Sequence, residues 1–432
     1  MESSLHTPRQ QYSLSALEVP PARLHERLET GRAPQRRHPL RRLWQRLPLD
    51  TRTQILARVS RLVAPLPDRA PRGGFPIAIA GLFSTASGIG EGARLAYEAL
   101  DQAGLTPAAF DISGAFGQAE LDAPPRRAVV VGSGGTLVVH HNGPYLPHAL
   151  WALGRARVRG RRIVGYWAWE FPRIPRSWHA SFRYLHEVWV PSTLAREAVA
   201  SATALPVHVV PHPLPPVIAT PDMRARLGLP ADALIVLTAF HMGSAFTRKN
   251  PLAAIAAFRR AFGDAPDRLL AIKLVDHGAS PIARAELDRA IAGASNIRLI
   301  NVILEPADMA GLMADVDIVL SLHRSEGFGL VPAEAMQLGK PVVATAWSGN
   351  MDFMNERNSA PVSYRMVPAL ADGQLWAEAD VGHAAEWLRR LAAEPELRRR
   401  LGDAARVDIA RQLSPDSIAR TIANLIEAGR AA

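Results

Sequence analysis

The chain has 432 residues, 48% of them apolar and 21% charged, with a formal net charge of +10. That length and balance describe a soluble globular protein with room for two ordinary domains, and exclude a disordered tail or a membrane bundle. It contains no cysteine, which removes disulfides, zinc fingers, thiolate catalysis and iron–sulfur clusters together and fits a reducing compartment.

The N-terminal stretch MESSLHTPRQQYSLSALEVPP lacks a basic start followed by an apolar core, and no run reaches the roughly 18 apolar residues that span a bilayer. A cytoplasmic location is expected. Up to residue 71, thirteen arginines stand against six acids, so that +7 of the net +10 lies in an N-terminal arm. Few aromatics interleave with these charges and no reader motif accompanies them, so nucleic acid is not an expected partner. Within the arm, LDTRTQILARVSRLV places Asp50 as an N-cap and Ile55, Leu56, Val59, Leu62 and Val63 on one helical face, with Arg52, Arg58 and Arg61 off it. Such a basic amphipathic helix either packs its apolar face on the following domain or lies on an anionic membrane, giving peripheral contact through residues 1–71.

From residue 75 onward, short apolar β-branched runs alternate with helical stretches. Residues 77–83, 127–132, 136–142, 161–170, 187–192 and 207–211 read as buried strands, the pattern of βαβ units on a parallel sheet. The proline-rich stretch 211–230 reads as a stiff extended connector. A second series follows at 234–240, 269–275, 297–303, 316–322 and 341–347. The expected architecture is α/β: two Rossmann-like, doubly wound parallel-sheet domains, at 72–214 and 215–405, after a basic arm at 1–71. A C-terminal helical segment, 406–432, is expected to cross back to the first domain.

Open parallel sheets bind ligands outside the carboxyl ends of their strands. Three stretches lie at such ends. In SGIGEGARLAYEAL, Gly88, Gly90 and Gly92 precede a helix, so backbone can approach a ligand and the helix start can favour an anion. The spacing is not G-x-G-x-x-G, and a tight turn without a ligand accounts for it equally well. In FHMGSAFTRKNPLAAIAAFRRAF, Asn250 is placed to cap a helix beginning at Pro251, with Arg248 and Lys249 just before it. The chain holds 50 Lys plus Arg, yet lysine occurs only at 249, 273 and 340, which suggests that a compact point charge is wanted at 249. A solvated basic loop is the alternative.

The third stretch, SEGFGLVPAEAMQLGKP, holds two carboxylates. Pro332 suits the first turn of a helix, which places Glu334 within that turn, while Glu326 stays in the preceding loop. Carboxylates accept from vicinal hydroxyls, so the pair can clasp a ribose and a hexose; Gly327 and Gly329 leave amides open beside them for phosphate. A metal site is disfavoured, because Asp352 is the only other nearby acid and no ligand-spaced histidine accompanies it. A helix-dipole role is the alternative for Glu334.

Together these stretches resemble the retaining GT-B glycosyltransferases of family 4, the glycosyltransferase group 1 type that uses nucleotide-diphosphate sugars. The resemblance rests on E-x7-E in EGFGLVPAE, on DIVLSLHRS before it, on MQLGKPVVATAWSG after it, and on RKNP about eighty residues upstream. It covers essentially the whole chain after the arm. It implies a GT-B fold with a cleft between the domains, the first binding acceptor and the second donor. Arg248 and Lys249 would hold the diphosphate, Glu334 the ribose, and Glu326 with Gly327, Phe328, Gly329 and Leu330 the donor sugar and phosphate. Gly88 and Gly90 would belong to a glycine-rich loop closing over the donor.

The resemblance further implies hexose transfer with retention of anomeric configuration, to a saccharide or polyprenyl-linked saccharide in cell-surface polysaccharide synthesis, with no metal and no cofactor beyond the donor. The match departs from the family in the acceptor domain. Many relatives end a mid-domain strand in a histidine facing the sugar, whereas this strand ends in GYWAWEFPRIP. Trp169 or Glu170 is then the counterpart, or else His140 reaches the pocket from one strand earlier, where His141 also lies. Trp167, Trp169 and Phe171 either stack on a sugar or form a half-buried cluster. A GT-B sugar-nucleotide epimerase and a non-catalytic adaptor for nucleotide sugar or nucleic acid are the rival readings.

Overall fold

A computed structural model of the chain describes residues 59–85, 87–117, 134–242, 246–276, 280–369 and 373–431. The arm before residue 59 and the expected strand at 127–132 lie outside the described residues. Six parallel strands form a first sheet: β1 (Ile77–Gly81), β2 (Ala108–Asp111), β3 (Thr136–His140), β4 (Arg162–Tyr166), β5 (Glu187–Val190) and β6 (Val207–Val209), in the order β2-β1-β3-β4-β5-β6. Six more form a second: β7 (Leu234–His241), β8 (Arg268–Val275), β9 (Ile297–Asn301), β10 (Ile318–Ser321), β11 (Val342–Thr345) and β12 (Ala360–Val362), in the order β12-β11-β10-β7-β8-β9. Counted within its own half, that order is the 3-2-1-4-5-6 of dinucleotide-binding folds, and the order reverses between β7 and β10. The doubly wound arrangement expected from the alternation is the one observed.

The strands are near-continuous apolar runs because helices cover both faces of each sheet. β1, β3 and β5 are buried at every position. Apart from β7 and β8, the expected strands overshoot at their carboxyl ends, where side chains take over from the ladder. The run 161–170 leaves the sheet after Tyr166; Trp167 N–H still reaches Trp189 O, but the next amide, Ala168, donates to Asn142 Oδ1 at 2.9 Å. β2 (AAFD) and a hairpin of β13 (Tyr364–Pro368) and β14 (Leu375–Ala379) were not expected.

The connector is not simply extended. Met223–Arg226 forms one helical turn, and Met223 and Leu229 are buried in the second core. The chain crosses back beside Leu413, whose carbonyl accepts from Leu214 N–H at 2.7 Å. The last helix, Pro415–Ala431, then packs Ile418, Ile422 and Ile426 against Ile77, Ile79 and Leu100 of the first domain. The amphipathic segment differs from a helix packed by its apolar face. Residues 59–63 are helical, but Ser60 and Ala64 are the buried positions, while Val59, Leu62 and Val63 are exposed. Among the described residues, no helix is long and apolar enough to cross a membrane.

Candidate active site

The loops leaving β7 and β10 flank the point where the second sheet reverses, and Arg324 N–H clamps them together by donating to Arg248 O at 2.8 Å. After β7, the turn Phe246–Lys249 is helical and the next helix begins at Pro251. Asn250 between them does not cap through its side chain. Its backbone is left-handed (φ 52°), and Nδ2 donates to Glu378 Oε1 at 3.4 Å.

Arg248 Nη1 lies 3.1 Å from Glu326 Oε2 and donates to Ser325 O at 2.7 Å, while Lys249 Nζ lies 2.5 Å from Glu326 Oε1. From the first domain, Glu170 Oε1 approaches Arg248 Nη2 at 3.6 Å. Ser325 Oγ donates to Glu170 O, which ties the two domains together here. Glu326 is only 7% exposed. Burial alone would raise its carboxyl, but Lys249 and then Arg248 overrule it and hold the pKa at about 2. Glu170 goes the other way: burial raises it, with Arg248 opposing.

The glycine run after Glu326 is shaped by its neighbours. A Cβ on Gly327 would stand 3.1 Å from Trp169 O, and one on Gly349 would stand 2.5 Å from Gly327 O. Gly329, at φ +99°, turns the chain into the helix Leu330–Gln337. The helix therefore starts earlier than Pro332 suggests, and Glu334 lies in its second turn. Phe328 points inward, packing edge-on against His212 and tilted against Phe353, with centroids 5.1 and 5.3 Å away. Its ring belongs to the core, so only its backbone can face a donor. Leu330 is partly buried against the same core. Burial, and then Glu91 from the glycine-rich helix, push Glu334 up to about 7.

The glycine-rich stretch opens the helix Gly88–Gln102, whose N-cap Ser87 accepts from Gly90 N–H at 3.2 Å. A Cβ on Gly88 would meet no atom within 4 Å, whereas one on Gly90 would collide with Leu82 O and Thr85 O at 2.6 Å. Gly88 thus presents backbone to open space, while Gly90 is required by the turn itself.

His140 is not part of the charged cluster. It is 2% exposed, lies stacked on Tyr166 at 4.1 Å, and neither ring nitrogen has a hydrogen-bond partner among the described residues. Burial, followed by His212 and His141, pushes its pKa well down and keeps it neutral. His141 is buried beside Tyr145 and is held at about 4, mainly by burial. A strand end surrounded by Gly92, Tyr166 and His212 is a packing environment, so a histidine there need not face substrate. Trp167 is fully buried, while Trp169 and Phe171 are half-buried, with Phe171 stacked on Trp376 at 5.9 Å.

Sequence reasoning missed a supporting network. Glu326 N–H donates to Ser348 Oγ at 2.9 Å, and Ser348 is held at φ +86°. His323 Nε2 lies 3.0 Å from Asn350 Oδ1, and Asn350 Nδ2 donates to Thr345 O at 3.0 Å. The Ser-Gly-Asn run after β11 was the available signal. Nothing in the sequence announced that Glu91 would approach Glu334 from the other domain. Asp352 accepts from Thr193 N–H across the domains at 2.7 Å.

Two parallel sheets whose ligand-side loops face one another define a GT-B α/β protein. Solved structures share the fold. Anabaena HepE in complex with UDP-glucose gives a TM-score of 0.61 at 14% identity, covering 82% of this chain and 99% of that one. Sucrose-phosphate synthase from Thermosynechococcus elongatus gives 0.61 at 19%, covering 82% and 99%. The D-inositol 3-phosphate glycosyltransferase of Xylanimonas cellulosilytica is 32% identical over 156 residues, which are 33% of this chain and 36% of that protein. The chain thus spans about a third of the length of that curated relative. The family model described as family 4 glycosyltransferase in conflict systems matches residues 188–422. The chain belongs to this family of glycosyltransferases.

Proposed function

We propose that the protein transfers a hexose from a nucleotide-diphosphate sugar to a saccharide or lipid-linked saccharide, in the cytoplasm, with retention of anomeric configuration. The observation that supports this reading is the pairing of Arg248 and Lys249 with Glu326, two loops meeting where the second sheet reverses. The donor's diphosphate takes Arg248 and Lys249 as its counter-charges, in place of part of their contact with Glu326. Glu326 then accepts from hexose hydroxyls, and Glu334, ionised, accepts from the ribose. Gly88 brings backbone to the donor from the opposite domain. As the sugar leaves, negative charge grows on the departing phosphate, and preorganised cations next to it lower the barrier. The two cations supply this charge, so the proposal assigns no role to a metal or to a cofactor other than the donor.

Attack comes from the face of the leaving group, whose phosphate oxygen takes the acceptor proton. Glu326 is held low and tied to two cations, a poor nucleophile for double displacement. Glu170 contributes by holding Arg248 from the acceptor domain. UDP-glucose in the HepE complex supports a uridine nucleotide. For the acceptor, the family's description by conflict systems favours a saccharide made or attacked in such a system over a housekeeping cell-surface polysaccharide. Incubation with a panel of nucleotide sugars, read by NMR, tests the reading. The expected result is turnover with a product keeping the donor's configuration; an inverted product or an epimerised donor contradicts it. Tight donor binding without hydrolysis or transfer would mean an adaptor.

A further inference from the structure

We propose that the first domain carries a docking surface for an anionic lipid bilayer, built by residues 59–66 together with the helix Leu146–Leu153 and the turn that follows it. The first observation is the way the segment 59–66 is packed. Its small residues, Ser60 and Ala64, face the domain, and its large ones face out: Leu62 is 85% exposed, Leu66 54%, Val63 49% and Val59 40%. Four large apolar side chains standing out along one short segment are costly to hydrate and are characteristic of a surface that something covers.

The second observation is what lies beside them. Ser60 Oγ is 3.2 Å from His148 Nδ1, and Asp68 Oδ2 accepts from Gly160 N–H at 2.6 Å. The segment therefore runs along the stretch 148–160. Trp151, 43% exposed, touches His148 there, with ring centroids 5.6 Å apart. On the other flank, Arg61 Nη2 donates to Ser177 O at 3.4 Å and Tyr184 Oη donates to Arg61 O at 2.9 Å.

The third observation is charge. Residues 143–186 contain eight arginines and one acid, Glu170, which belongs to the interdomain cluster. Arg61, Arg69, Arg155, Arg159, Arg176 and Arg183 are all exposed.

Exposed apolar side chains beside arginines are what the interface of an anionic membrane accommodates, apolar groups at the acyl boundary and guanidinium groups at the phosphates. Nucleic acid would engage the arginines but leave Leu62, Val63, Leu66 and Trp151 in water. A second copy of the chain would bring like charges together. The bilayer uses both halves of the pattern. The inference does not depend on sugar transfer, because binding is measured without turnover.

The test is co-sedimentation of the full chain with vesicles of phosphatidylcholine alone and of phosphatidylcholine mixed with phosphatidylglycerol. Binding is expected to the mixed vesicles and to weaken as salt screens it. Each arginine at an anionic surface contributes roughly fivefold to partitioning, so Arg155→Glu with Arg159→Glu should reduce binding by roughly 25-fold or more. Leu62→Asp, at an exposed position, should reduce it by roughly tenfold or more. Nucleoside diphosphate binding should stay at the wild-type value in both variants, which reports that they are folded. Equal binding to neutral vesicles, or wild-type binding by both variants, overturns the proposal. So does a chain that ignores vesicles but binds nucleic acid, or that dimerises through Leu62.

Discussion

Two deeply buried polar clusters sit at the carboxyl ends of the two sheets, and they solve burial in opposite ways. At the second sheet, Lys249 and Arg248 pair with Glu326 and hold its carboxyl ionised against burial, with Glu170 reaching in from the first domain. At the first sheet, His140 and His212 are as thoroughly buried but neutral, His140 stacked on Tyr166 and His212 edge-on to Phe328. Paired charge can be handed to an incoming anion, since a phosphate replaces one counter-ion with another. Neutral rings offer no such exchange. The paired charges are thus the group suited to exchange with an anionic ligand, and His140 and His212 lie outside that cluster.

Breaking the charged cluster should have the largest effect. Lys249→Ala is expected to lower kcat by roughly 10²-fold or more, as for other groups aimed at developing charge. Steady-state kinetics with the cognate donor check this, and an unchanged kcat/KM would move the diphosphate elsewhere. Glu170→Gln comes next. General-base catalysis is worth roughly 10²-fold to 10⁴-fold, so a loss of only about tenfold fits a residue that positions Arg248. A trapped glycosyl adduct on Glu170 would instead make it a nucleophile.

Glu334 sharpens the comparison through pH. Its folded pKa is raised to about 7, whereas an unfolded glutamate titrates near the usual 4.5. Between these values the folded state holds a proton that the unfolded state has lost, so this group makes stability fall as pH rises through the window. Ribose hydroxyls need the ionised form, so nucleotide affinity should rise through pH 7 and level off above it. Calorimetric titration should lose this pH dependence in Glu334→Gln. Glu326 has the reverse sign: held at about 2, it contributes stability above 4.5 that is lost as pH falls toward 2. The smallest effect is expected for His140→Leu, with kcat/KM within about tenfold of wild type and a stability cost of the order of 1.5 kcal/mol. A much larger kinetic loss in a protein of normal thermal midpoint would return His140 to the site.

Much of this was legible because parallel strands buried on both faces are written as apolar β-branched runs, and because Arg248, Lys249, Glu326 and Glu334 lie at the ends of such runs. What escaped depends on long-range packing. β2 is alanine-rich and short, β13 has no buried position, and β14 mixes exposed and buried ones. The inward turn of Phe328 depends on His212, which comes from the connector. Pro332 predicts a helix start that puts Glu334 in the first turn, but the left-handed Gly329 starts the helix at Leu330. The segment after Val59 follows its amphipathic period, yet a small-residue contact, Ser60 and Ala64, decides which face is buried.

The central claim is that Glu326 and Glu334 divide one donor between them, and calorimetry of Glu326→Gln and Glu334→Gln with both a nucleoside diphosphate and the intact nucleotide sugar tests it most directly. Glu334→Gln should weaken both ligands alike, because both carry the ribose. Glu326→Gln should leave the nucleoside diphosphate at or near wild-type affinity and weaken only the intact sugar nucleotide. Equal losses for both ligands in both variants would contradict the division and reduce the two glutamates to supports for the loop.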